Sequence, residues 1–75
     1  MAPRLPAVSG AVIVGALERA GFVVASQRGS HAKLRSTDGR TAIVPLHREL
    51  APGTLRSVLR QAGLSVEELG RLLSE

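Results

Sequence analysis

Apolar residues recur at Ile13, Ala16, Leu17 and Ala20, the spacing of one helical face. Ser9 stands ahead of them as an N-cap and Gly21 behind them as a stop, so the pattern predicts a first helix between these two residues. Its other face is apolar too. Ala11, Val12, Val14 and Gly15 stand where an exposed helix normally carries charge. Gly10 and Gly15 each cost a helix about 1 kcal/mol relative to alanine. Such a face is either a stretch tolerant of small residues or a contact surface.

Phe22 to Gln27 then reads as a strand with a nearly continuous apolar start, and Arg28-Gly29-Ser30 as its turn. From His31 to Ser36 the chain alternates, with His31, Lys33 and Arg35 on one side and Ala32 and Leu34 on the other. Asp38-Gly39 is a tight-hairpin signal. Arg40 to Pro45 is the return strand, with Ala42 and Val44 on one face. Proline is poorly suited to a central strand, so the strand ends at Pro45. Leu46 to Ala51 is a loop carrying His47, Arg48 and Glu49.

Pro52 suits a first helical turn, and Leu55, Val58, Leu59 and Ala62 give one apolar stripe that stops at Gly63. Arg56 and Arg60 share a face beside it. Ser65 and Glu68 make a capping-box pattern before a short last helix through Leu69, Leu72 and Leu73. The order predicts an α+β domain: helix, three-stranded antiparallel meander, helix, and a short C-terminal helix. Two amphipathic helices cover one face of such a sheet. The other face is then open and carries His31, Lys33 and Arg35. Residues 1–75 read as a single domain, with 1–7 as a loose N-terminal arm.

Charge sharpens this picture. Between Arg28 and Arg60 lie seven basic residues (Arg28, Lys33, Arg35, Arg40, Arg48, Arg56, Arg60) against two acidic ones (Asp38, Glu49), a net of +5. From Gln61 onward Glu67, Glu68 and Glu75 face only Arg71. A basic centre suggests a polyanionic partner, or else an arginine-rich solvated surface. Phe22 is the only aromatic residue and reads as core, so nucleic acid would be held through backbone charge, shape or arginine stacking rather than by stacking on aromatic rings. The chain has no cysteine, no apolar run long enough to span a membrane and no signal-peptide layout at its start. It is expected to be soluble and cytoplasmic, and its small core invites stabilisation by a partner.

A histidine exchanges a proton near neutral pH. RNA cleavage by the adjacent 2′-hydroxyl needs a base, a proton donor for the leaving oxygen and cations for the charged intermediate. His31 fits a proton-transfer role, Arg28, Lys33 and Arg35 an electrostatic one, and Ser30 a contact to a phosphate oxygen. His47 is the only candidate for a second proton-transfer histidine. Each has a plainer alternative. A histidine at a strand start is more often a polar surface residue, Ser30 a turn residue, and His47 a group bonded to loop backbone. No cluster has metal-ligand spacing and no Gly-rich phosphate loop is present, so neither metal nor cofactor is expected.

These residues meet a known family. The segments LERAGF (Leu17–Phe22), GSH (Gly29–His31), DGR (Asp38–Arg40), VPLH (Val44–His47) and PGTLRSVLRQAGLS (Pro52–Ser65) occur in an order and spacing that resemble the HicA toxins of bacterial type II toxin–antitoxin systems. The resemblance runs from about Val8 to Leu73. It implies a double-stranded-RNA-binding-domain-like fold, endoribonuclease activity on mRNA, and neutralisation by a HicB-type antitoxin. With no metal-ligand set and a ribose hydroxyl able to act as nucleophile, the cleavage is expected to be metal-independent. The chain would then be a monomer when free and part of a hetero-oligomer with its antitoxin. The histidine after Gly-Ser, His31, carries over as the catalytic one. The residues themselves, not the resemblance, nominate Arg28, Ser30, Lys33, Arg35 and Arg40 as RNA-binding and His47 for a second role. The chain departs from the family at Ala32, where many relatives have another histidine, at the uncharged face of its first helix, and at Ser26. Two further readings remain. One is a double-stranded-RNA-binding module that does not cut, or an inactive relative of the toxins. The other is a helix-turn-helix DNA binder suggested by LRQAGLSVEEL, in which Glu67 and Glu68 would repel phosphates.

Overall fold

The Ser9 hydroxyl accepts the Val12 N–H at 3.1 Å and opens the first helix, α1, Gly10–Arg19. The computed structural model describes residues 4–75. In these the chain continues through β1 (Val23–Arg28), β2 (His31–Arg35), β3 (Thr41–Pro45), α2 (Pro52–Ala62) and α3 (Val66–Ser74). The strands form an antiparallel sheet in the order β1-β2-β3. This is the expected α+β layout, with all helices on one side of an open sheet.

The core is the sum of the predicted stripes. α1 supplies Ile13, Ala16 and Leu17; β2 supplies Ala32 and Leu34; β3 supplies Ala42 and Val44. α2 adds Leu55, Val58, Leu59 and Ala62, and α3 adds Leu69. α1 touches every strand and also α3, whereas α2 packs along β3. The capping box of α3 is present. Ser65 Oγ accepts the Glu68 N–H at 3.0 Å, and Glu68 Oε1 accepts the Ser65 N–H at 2.9 Å. The Ser65 backbone N–H, and after it the Ser65 hydroxyl, hold the Glu68 carboxyl below its ordinary pKa.

Several expectations change. The first strand begins one residue later than its apolar run suggests: Phe22 is buried before the strand starts, and all six residues of β1 are exposed, including Val23 and Val24. β1 is an outer strand. Its register shifts between Val24 and Ser26, which places a β-bulge at Ala25. The Asp38-Gly39 turn is wider than a two-residue hairpin. Ser36 and Arg40 close it, with the Ser36 N–H donating to Arg40 O at 2.9 Å and the Gly39 N–H to Ser36 O at 3.1 Å. Of the four small or apolar residues expected on the outer face of α1, Ala11 and Val12 are exposed; Val14 and Gly15 are half-buried, and Val14 packs against the core. The arm expected over 1–7 falls partly on residues 1–3, outside the described residues, and Leu5 packs against the core.

Two contacts position the loop after β3. Gly10 lies so close to the end of β3 that a Cβ there would stand 1.9 Å from the Pro45 carbonyl oxygen, so glycine is required for this approach. At the outer edge of β3 the Ile43 N–H, which no strand pairs, donates to Gln61 Oε1 of α2 at 2.9 Å. Among the described residues no helix is long and apolar enough to cross a membrane.

Candidate RNA-cleavage site on the open sheet face

β2 has the two-residue period that its sequence predicts. Ala32 and Leu34 are buried beneath the helices, while His31 and Arg35 are exposed and Lys33 is half-buried on the open face. The sheet register decides which neighbours they meet. Arg28 of β1 and Pro45 of β3 flank His31, and Ser26 and Ile43 flank Lys33. Ser26, Arg28, His31, Lys33 and Ile43 line a shallow concavity of about 400 Å³. Its lining holds three basic or titratable nitrogen side chains and no carboxylate.

Gly29 and Ser30 form the two-residue connection that puts Arg28 and His31 side by side. Gly29 has φ +53°, and positive φ at the first central residue alone is the pattern of a type II′ turn, which glycine fills without strain. Ser30 is exposed in that turn. Its carbonyl accepts the Leu46 N–H, which ties the turn to the loop after β3. That loop has two more backbone anchors. The Gly10 N–H donates to His47 O at 2.9 Å, and the Leu50 N–H donates to Val8 O at 2.9 Å.

The result is a pair of imidazoles. The ring of His47 lies 6.3 Å from that of His31, centre to centre, with the planes at 72°. Both residues are exposed. The backbone bond of His47 is made by its carbonyl, to Gly10 of α1, and not by the imidazole to loop backbone as its plainer reading expects.

Arg35 shares the open face but stands at the other end of β2, opposite Thr41 and Val23, about 13 Å along the strand from His31 at roughly 3.3 Å per residue. Arg40 is elsewhere. It has the parity of Ala42 and Val44 and turns toward the helices. Its Nη1 donates to Ala62 O at 2.6 Å and its Nε to Asp38 Oδ1 at 3.0 Å, while its guanidinium stands 5.4 Å over the Phe22 ring. The Ser36 hydroxyl and then Arg40 pull the Asp38 pKa from 3.8 down to about 2. Arg40 therefore closes the turn and the C-terminus of α2, and the structure does not bring it to the residues around His31.

The candidates gathered from the sequence thus divide. Arg28, His31 and Lys33 meet in the concavity, Ser30 and His47 stand at its rim beside His31, Arg35 extends the face, and Arg40 leaves it. Ser26 and Ile43 complete the lining. Ile43 alternates with the buried Ala42 and Val44, so strand parity alone sends it to the open face. Ser26, one of the departures from the family pattern, reaches the concavity because the bulge at Ala25 resets the phase of β1.

No curated protein matches the chain closely enough to count as a relative. A family model does match, that of the HicA toxin of bacterial toxin–antitoxin systems, over residues 10–64, which run from the start of α1 past the end of α2. The segments that carry the histidines, the basic strand face and both larger helices all lie within that match, and so the chain belongs to the HicA toxin family.

Proposed function

We propose that this toxin acts as a metal-independent endoribonuclease on mRNA in the cytoplasm, with His31 moving a proton at the scissile phosphate. The observation that carries the reading is the open face itself: an exposed imidazole flanked by Arg28 and Lys33 in a concavity without a carboxylate. The two cations suit the extra negative charge that develops on the phosphate oxygens. The 2′-hydroxyl of the ribose is the nucleophile, so the reaction needs no metal-activated water. With Phe22 buried, RNA is held through its backbone and shape.

The family implies an antitoxin partner. In this reading it is a HicB-type protein that covers His31 and the basic strand face, neutralising charge and excluding RNA together.

Purified His31→Ala and parent chains, incubated with mRNA, test the activity. The variant is expected to fold normally and lose cleavage by about 10²-fold or more. Products of the parent should end in 2′,3′-cyclic phosphate, and EDTA should leave the rate unchanged. Undiminished cleavage by the variant removes His31 from catalysis. RNA binding without cleavage by the parent marks a non-catalytic binding module.

A further inference from the structure

We propose that His47 is the second proton-transfer group of this site, working with His31 across one phosphodiester. The inference rests on the ribonuclease reading above and adds to it. In-line cleavage moves two protons at opposite ends of the reaction axis. One leaves the 2′-hydroxyl as it attacks; one must reach the 5′-oxygen as it departs. A single imidazole cannot stand within hydrogen-bond reach of both oxygens in one step.

The fold supplies a second imidazole where that geometry needs it. Two nitrogens that each approach opposite oxygens of one phosphate to about 3 Å require rings separated by roughly the width of the phosphate, and the ring centres here lie 6.3 Å apart. His47 does not reach this place by chance of a free loop. The residue before it is bonded to Ser30, which adjoins His31, and its own carbonyl is bonded to Gly10 at a contact that admits no Cβ. These bonds use the backbone and leave the imidazole itself exposed.

In the proposed step one ring removes the 2′-hydroxyl proton as the 2′-oxygen–phosphorus bond forms. The other, entering as imidazolium, gives its proton to the 5′-oxygen as the phosphorus–oxygen bond breaks. The products are a 2′,3′-cyclic phosphate and a 5′-hydroxyl. No electrons are exchanged with a cofactor, and the pair ends with its single proton on the opposite ring.

The test measures kcat and KM from pH 5 to pH 9 for the parent, His31→Ala, His47→Ala and His47→Gln. The substrates are an oligoribonucleotide and its analogue with sulfur as the 5′-bridging atom, a leaving group that needs no proton. The parent should give a bell-shaped profile. His47→Ala and His47→Gln should each lose about 10²- to 10⁴-fold in kcat and one limb of the bell, with KM and melting temperature unchanged. The sulfur substrate should restore one of the two alanine variants and not the other, which names the acid. The proposal is overturned if His47→Ala keeps the parent's kcat and both limbs, if its loss lies in KM or in melting temperature, or if the sulfur substrate restores neither variant. Inactive His31→Ala beside any of these outcomes leaves the ribonuclease reading standing. A parent that cuts no RNA overturns both.

Discussion

Arginines of one charge do different work here, and side-chain direction decides which. Arg28 and Lys33 face the concavity, whereas Arg40 spends its guanidinium on Ala62 O, Asp38 and the Phe22 ring. Replacing Arg28 and Lys33 together by alanine should weaken RNA binding and flatten the log–log salt dependence by about 0.7 for each single-strand phosphate contact released. Arg40→Ala should leave that slope alone and lower stability by roughly 1–3 kcal/mol, the range for a lost hydrogen bond from a charged donor. Equilibrium binding across a salt series and denaturant melts separate the two. Asp38 adds a pH signature. Its folded pKa is depressed to about 2, so its contribution is present above 3.8 and is lost as pH falls toward 2. Melting curves between pH 5 and pH 2 should show Asp38→Asn less sensitive to acid than the parent. The role of Arg40 was legible in principle, since it alternates in step with Ala42 and Val44. Its charge alone points to phosphate, whereas its parity points to the helix side of the sheet.

At the level of elements, the helices and β2 were legible because caps and apolar spacing agree. The β2–β3 turn was legible only in part. A two-residue Asp38-Gly39 loop would pair Thr37 with Arg40 and set Leu34 opposite Ile43, turning the apolar sides of the two strands to opposite faces. The wider turn closed by Ser36 and Arg40 sets Leu34 opposite Ala42 and Ala32 opposite Val44. The same register sets His31 opposite Pro45, so that His47 begins its loop beside it. The two histidines are both candidates in the sequence, but their nearness depends on that loop length. β1 gave no such handle, because an apolar run from Phe22 to Ala25 carries no phase. Gly10 is the element-scale test. Read from sequence it is a weak helix residue; in the structure it is the contact through which α1 fixes the His47 loop. Gly10→Ala should raise helix propensity yet destabilise the protein by about 1–3 kcal/mol through overpacking. It should also lower cleavage more than it lowers RNA binding. Denaturant melts read the first effect, and kcat against Kd reads the second.

The whole molecule has little core to lose. Leu69 of α3 is fully buried, and α3 lies wholly beyond the residues that the family model matches. Arg19 of α1 also donates to Leu72 O of α3 at 2.9 Å. Leu69→Ala should cost about 2–5 kcal/mol, a large share of the roughly 5–15 kcal/mol typical of a domain, and should show as a lower denaturant midpoint and melting temperature. Small size also leaves an open sheet with two borders, each a potential template for joining chains end to end into aggregates. On the β1 border the bulge at Ala25 breaks the regular row of hydrogen-bonding groups, and Arg28 adds charge at its end. On the β3 border the Gln61 side chain already occupies the Ile43 N–H. That one amide acts as a stopper: by filling a donor that an incoming strand would need, it favours separate molecules over fibres when the toxin stands without its partner.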